Sequence, residues 1–133
     1  MNLKRFLLAF VAVAIVGTVY DILVHGRILG STYAAFPALW RTPEQTTLLT
    51  LTNVFWALFL TLLYAQYGKA RPWGLANGLW FGLLTGFLGG WLPVVYNKLL
   101  LADFPGPVYV GWSVGNLGGF LVCGLVLGRL YKE

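Results

Sequence analysis

The sequence predicts an all-α membrane protein: a bundle of four transmembrane helices with an outer interfacial segment between the first two. Of its 133 residues, 59% are hydrophobic and only 10% are charged, whereas a soluble domain carries about 25% charged residues. The mean hydropathy is +0.76, and four apolar runs are each long enough to cross a hydrocarbon core of about 30 Å. The lipid bilayer is therefore the expected surrounding of a single integral membrane domain, residues 1–133.

The first helix is expected over about residues 6–24, directly after two basic residues at positions 4 and 5. A cleavable signal peptide is the alternative, because residues 12–14 read Ala-Val-Ala. Apolar sequence continues past that point to Tyr20, which favours a retained helix.

The second helix is expected over about residues 43–67. It follows a capping box in which Thr42 is the N-cap, Pro43 takes the first helical position and Gln45 reaches back. The third helix, about residues 72–96, has Pro72 at its start and Pro93 near its end.

A kink or an early end is expected at Pro93. Residues 97–104 then form a short loop, and Pro105-Gly106-Pro107 precedes the fourth helix, about residues 108–128.

Basic residues favour a topology with both chain ends in the cytoplasm. Six Lys and Arg residues fall on the side of the termini and three on the other side. The first set is Lys4, Arg5, Lys69, Arg71, Arg129 and Lys132, and the second is Arg27, Arg41 and Lys98. Residues 27–41 are too short for a span and contain Pro37, so they are expected in the outer interface, as an ordered loop or as a lid.

Glycines recur at a spacing of four in the last two helices, the pattern of a glycine zipper. Small residues let helix backbones approach closely in lipid. Contact between the third and fourth helices is the simplest explanation, and a homo-oligomer or a larger membrane complex is the alternative. The helix-packing glycines are Gly74, Gly78, Gly82, Gly86 and Gly90 in the third helix and Gly111, Gly115 and Gly119 in the fourth, which continues to Gly124 and Gly128.

Polar residues point to one candidate site near the outer end of the bundle. Asp21 and His25 lie four residues apart on one face of the first helix, and ionisable groups within a span are functional candidates. The expected topology brings polar residues of the other helices to a similar depth. The predicted ligand- or proton-binding residues are Asp21, His25, Thr50, Asn53, Asn97, Ser113 and Asn116.

A structural explanation stands beside this prediction. Asp21 lies close to the end of its apolar run, so it could sit among the lipid headgroups and pair with Arg27 or Arg41. The amides of Asn53 and Asn116 would then be interhelical hydrogen bonds, each contributing about 0.6 kcal/mol.

Several classes of function are disfavoured by composition. One His, one Cys and a lone nearby carboxylate do not complete a metal site, so neither metal nor cofactor is expected. Cys123 lies in an apolar run and suits a packing role. No catalytic group is evident, and dispersed basic residues argue against nucleic acid as a partner.

The residues Asp21-Ile22-Leu23-Val24-His25-Gly26, Tyr33 and Leu39-Trp40-Arg41-Thr42-Pro43 resemble a pattern in small uncharacterised bacterial membrane proteins. The likeness covers the first third of the chain and the general four-helix layout. The family has no assigned activity, so the resemblance implies a bacterial inner-membrane location and no catalytic residue.

The sequence therefore favours a non-enzymatic binding or accessory protein with a polar pocket in the outer leaflet. The alternative is a small proton or cation transporter, or a channel component, that uses Asp21 and His25. Four spans are few for an independent transporter, so this alternative calls for an oligomer.

Overall fold

The computed structural model describes residues 2–39 and 46–131, with side chains for residues 2–38 and 51–131. This part of the chain is all-helical, which confirms the predicted fold class at that level. The helices are α1 Leu3–Ile28, α2 Gly30–Ala34, α3 Thr46–Tyr67, α4 Leu75–Leu100 and α5 Gly106–Leu130. The predicted capping box at residues 42–45 lies outside the described residues.

Three of the helices, α1, α4 and α5, are long and apolar enough to cross a membrane. Large apolar side chains cover their outer faces: Leu8 is 57% exposed, Leu88 62% and Val114 68%. Such contiguous apolar surface does not occur on soluble monomers. The chain is therefore a membrane protein.

Helix α1 extends beyond the predicted end at residue 24 because its last turns are π-helical, over Ile22–Ile28. The backbone N–H of Leu29 donates to the carbonyl of Val24, five residues back, across 2.8 Å. At its start, the side chain of Asn2 accepts from the Arg5 N–H and caps the helix. The wider turns keep Asp21 and His25 in one continuous helix.

Helix α4 begins at Leu75 and not at Pro72, because Gly74 has a φ of +143°. Only glycine adopts that backbone conformation readily, and a helix cannot include it. Of the two outcomes expected at Pro93, the early end is wrong, since α4 continues to Leu100 and includes Lys98. A π-helical stretch, Gly86–Trp91, precedes the proline; wider turns there displace the carbonyl against which the proline ring would clash.

Helix α5 begins at Gly106, two residues before the predicted start. Pro105 is extended and precedes the first turn, and Pro107 lies within that turn, where a missing N–H costs nothing. The helix ends at Leu130.

The long helices pack side by side in the order α4, α5, α1, α3, and each runs antiparallel to the next. The most extensive contacts join α4 to α5, and α1 to both α3 and α5. We call the end that holds Leu3 and Leu130 the proximal end and the end that holds Ile28 and Gly106 the distal end. At the proximal end α3 meets α4 through aromatic side chains, with the Tyr64 and Phe81 rings 5.1 Å apart.

Glycines bring the backbones of α4 and α5 together. A Cβ atom added to Gly78 would lie 2.8 Å from Cα of Gly128, and one added to Gly82 would lie 2.6 Å from the carbonyl oxygen of Phe120. Gly86 and Gly90 face the same helix. Any side chain at Gly78 or Gly82 would force the two helices apart.

The glycines of α5 pack against two different neighbouring parts of the bundle. Gly124 and Gly128 face α4, whereas Gly115 and Gly119 face α1 and Gly111 faces Leu29, directly after the end of α1. The simplest prediction, that all of them join the last two long helices, therefore needs correction. A single helix presents small residues on two faces because its glycine series shifts by one position between Gly119 and Gly124.

Candidate functional site

A cavity of about 260 Å³ lies inside the bundle, toward its distal half. Small-molecule sites in proteins measure about 300–1,000 Å³, so this cavity suits a small ligand. Residues from all four long helices line it: Val13, Gly17, Tyr20, Asp21 and His25 of α1; Thr52, Asn53, Trp56, Ala57 and Leu60 of α3; Gly89 of α4; and Gly115, Asn116, Gly119, Phe120 and Cys123 of α5.

The cavity combines an apolar floor with polar groups. Its proximal part is formed by side chains such as Val13, Leu60 and Cys123, all of which are buried. Aromatic rings form part of its wall, and Trp56 and Phe120 meet edge to face with their centroids 5.7 Å apart. The cavity therefore has one apolar and one polar region.

The position of α1 against α5 follows from glycines. A Cβ atom added to Gly119 would lie 3.2 Å from the Tyr20 ring, and one added to Gly115 would lie 2.9 Å from a methyl group of Val24. Because these two positions carry no side chain, α1 lies close enough to α5 for Asp21 to share the cavity with Asn116.

Asp21 is joined to two neighbours. The Asn53 side-chain amide donates to its Oδ2 across 3.0 Å, and its Oδ1 lies 3.6 Å from Nε2 of His25. The Asp21 side chain remains 45% exposed. The bond to Asn53 ties α1 to α3 at the polar part of the cavity.

His25 extends this network toward the distal end. Its Nδ1 is hydrogen-bonded to the hydroxyl of Tyr33 on α2, and the same hydroxyl accepts from Nε1 of Trp112 on α5 across 2.8 Å. Because the Tyr33 oxygen accepts from Trp112, its own proton can go to Nδ1, which leaves the His25 proton on Nε2, facing Asp21. Burial raises the pKa of Tyr33, so this hydroxyl keeps its proton at neutral pH.

The structure brings together four of the seven predicted site residues. Asp21, His25, Asn53 and Asn116 all line the cavity. The side chain of Thr50 lies outside those described.

Asn97 and Ser113 do not line the cavity. Asn97 lies eight residues beyond Gly89, about 12 Å further along α4 at 1.5 Å per residue. Ser113 is buried about one turn distal to Asn116, and its Oγ has no hydrogen-bond partner among the described residues.

Sequence reasoning missed the aromatic members of the site. Tyr33 and Trp112 complete the His25 network, while Tyr20, Trp56 and Phe120 form cavity wall. Tyr33 stood in the segment expected at the interface, but nothing in the spacing of an irregular segment predicts which helix it meets. Trp56 and Phe120 carry no signal that separates them from lipid-facing aromatic residues.

The described part of the chain holds no group of three His, Cys, Asp or Glu residues that could bind a metal ion. No known protein family, curated protein or solved structure matches the chain. Its function must therefore be argued from the cavity.

Proposed function

We propose that this chain is a four-span protein of the bacterial inner membrane, with both ends in the cytoplasm, that binds a small ligand without chemically changing it. The fourth span would be α3, whose 22 residues carry no charge and would measure about 33 Å at 1.5 Å per residue. With the proximal end inside, six of the nine Lys and Arg residues lie on the cytoplasmic side. The cavity then lies toward the outer leaflet, since its lining belongs to the distal half of the bundle.

The observation that carries the proposal is the cavity itself. Polar side chains from α1, α3 and α5 converge on a space that has an apolar floor, and such convergent polar groups typically fix the orientation of a ligand. Close packing leaves few empty spaces in protein interiors. A catalytic role is not proposed, because the buried hydroxyl of Ser113 does not share the cavity with His25 and Asp21.

Native mass spectrometry of protein extracted from its own membrane in mild detergent tests this proposal. A bound small molecule is expected, and Gly89→Leu should abolish it. A Cβ atom at Gly89 would lie 3.3 Å from the Phe120 ring and 3.6 Å from that of Trp56, so a larger side chain would extend into the cavity.

The matched control for this test is Leu88→Phe, which enlarges the neighbouring residue on the outer face, where Leu88 is 62% exposed. This variant should retain the bound molecule. A protein free of small molecules in native and mildly extracted preparations would contradict the proposal, as would equal occupancy of the Gly89→Leu and wild-type proteins.

A second candidate function is proton or cation transport by an oligomer. The observation in its favour is a series of polar groups in which His25 lies 3.6 Å from Asp21 and is hydrogen-bonded to Tyr33, since chains of ionisable side chains relay protons in transporters. Proteoliposomes that carry a pH-sensitive dye test it. Transport predicts a proton flux that Asp21→Asn and His25→Ala both abolish, and absence of flux from the wild-type protein excludes it.

A further inference from the structure

Two side-chain amides that line the cavity, those of Asn53 and Asn116, have an oxygen that can accept a hydrogen bond from a ligand. The amide nitrogen of Asn53 donates to Asp21, and that of Asn116 donates to the carbonyl oxygen of Gly90 across 3.3 Å. Each amide therefore directs one of its two N–H groups to the protein, and its oxygen is left as an acceptor. Among the described residues, no donor to either oxygen is seen.

The charge of the cavity also favours a ligand that donates hydrogen bonds. Asp21 contributes a carboxylate, which accepts hydrogen bonds only, and no Lys or Arg of the described chain lines the cavity. His25 is the described group that faces this carboxylate, and it does so at 3.6 Å while its other nitrogen is bonded to Tyr33. A ligand that supplies a positive charge and N–H donors would complement this site.

The walls suit the remainder of such a ligand. The rings of Tyr20, Trp56 and Phe120 line the space between Asp21 and the apolar floor. Aromatic faces attract cations and contact apolar groups equally well, so they favour a cationic head that is attached to a hydrocarbon body.

We infer that the ligand of this cavity is a small amphiphilic amine. Its ammonium group binds to the carboxylate of Asp21 and to the amide oxygens of Asn53 and Asn116, and its apolar part lies against Trp56 and Phe120. This inference rests on the proposed ligand-binding function and specifies the chemical class of the ligand.

Three probes of equal length with different head groups test the inference: hexylammonium, hexanol and hexanoate. A primary amine has a pKa near that of Lys, about 10.4, and a carboxylic acid one of about 4, so at pH 7.5 the probes are cationic, neutral and anionic. Binding is measured by isothermal titration calorimetry on the full-length protein in a non-ionic detergent, with protein-free micelles as the blank.

For the wild-type protein, the Kd of hexylammonium should be at least tenfold lower than that of hexanol, and hexanoate should bind most weakly. Asp21→Asn should reduce the preference for the amine to less than about threefold. The matched control is Asp103→Asn, which removes one carboxylate from an exposed position outside the cavity and should leave all three affinities unchanged.

The outcomes separate the two proposals. If hexanol or hexanoate binds the wild-type protein as tightly as hexylammonium, and Gly89→Leu abolishes that binding, the cavity is a ligand site but not one for amines. If no probe binds and Gly89→Leu retains whatever molecule is extracted with the protein, both proposals fail. Should Asp21→Asn not fold, the three-probe comparison on the wild-type protein still decides the ligand class.

Discussion

The side-chain amide of Asn53 donates a hydrogen bond to Oδ2 of Asp21 across 3.0 Å, and this bond joins α3 to α1 beside the cavity. The two residues are 32 positions apart in the chain. The bond holds the carboxylate beside the cavity, which both residues line.

Asn53→Asp should make the stability of the protein depend on pH. Two carboxylates at this distance repel each other while both are charged, and protonation of one of them in the folded protein relieves that repulsion. The folded state then binds more protons than the unfolded state, and the free energy of unfolding rises as the pH falls from 7 toward 4. Thermal unfolding in detergent at several pH values measures this.

The control for that series is Asn97→Asp, a change outside the cavity, which should show no such rise. An Asn53→Asp protein whose melting temperature follows the wild-type pH profile would show that the amide and carboxylate do not meet.

Tyr33→Phe should lower the free energy of unfolding by about 1 kcal/mol. The change removes the hydroxyl that joins Trp112 of α5 to His25 of α1. It leaves the indole N–H and Nδ1 of His25 without that shared partner. Thermal unfolding detects the change, and Tyr96→Phe is the control because Tyr96 is 64% exposed. Equal melting temperatures for the two variants would contradict the network.

Gly78→Ala should lower the free energy of unfolding, whereas Gly26→Ala should leave it unchanged or raise it. Alanine favours a helix over glycine by about 1 kcal/mol, and a Cβ atom at Gly26 meets nothing within 4 Å, so that variant should be neutral or more stable. At Gly78 the added atom would lie 2.8 Å from Cα of Gly128, and forcing such contacts typically costs about 1–3 kcal/mol. Comparable stability of the two variants in a detergent unfolding series would be inconsistent with close contact between α4 and α5.

Ser113→Ala should leave the protein as stable as the wild type or up to about 1 kcal/mol more stable. Its hydroxyl is buried without a hydrogen-bond partner in the described chain, and removal of an unsatisfied polar group carries no loss. Thermal unfolding in the same detergent measures it. A destabilisation above about 1 kcal/mol would instead identify Ser113 as a bonded group.

The proposed topology predicts that Lys69→Cys and Asp103→Cys react differently in intact cells. The two residues lie in turns at opposite ends of the bundle, and both changes are made together with Cys123→Ser, so that the introduced thiol is the single one in the chain. A thiol reagent that does not cross membranes should label the protein with Asp103→Cys and should label Lys69→Cys only after lysis. The reverse pattern would invert the orientation, and labelling of both in intact cells would rule out this arrangement of spans.

The sequence was sufficient to predict that Asp21, His25, Asn53 and Asn116 share a cavity, because antiparallel spans of similar length bring residues at matching depth together. It was insufficient for Tyr33, whose place depends on contacts made by an irregular segment. Glycines at every fourth residue indicate a close approach between helices but do not say which helix approaches, so the contacts of Gly115 and Gly119 with α1 could not be predicted. The π-helical stretch before Pro93 follows from local backbone geometry that periodicity does not reveal.

Cys123 is the one cysteine among the 133 residues, and its thiol belongs to the floor of the cavity. Any mass added by a small thiol-specific reagent therefore reports on this single place, without mutation of the protein. The rate at which the mass appears measures how readily the reagent reaches the cavity, and a bound molecule would lower that rate. Comparison of this rate with and without a candidate ligand would then test, on the unmodified chain, whether that molecule enters the cavity.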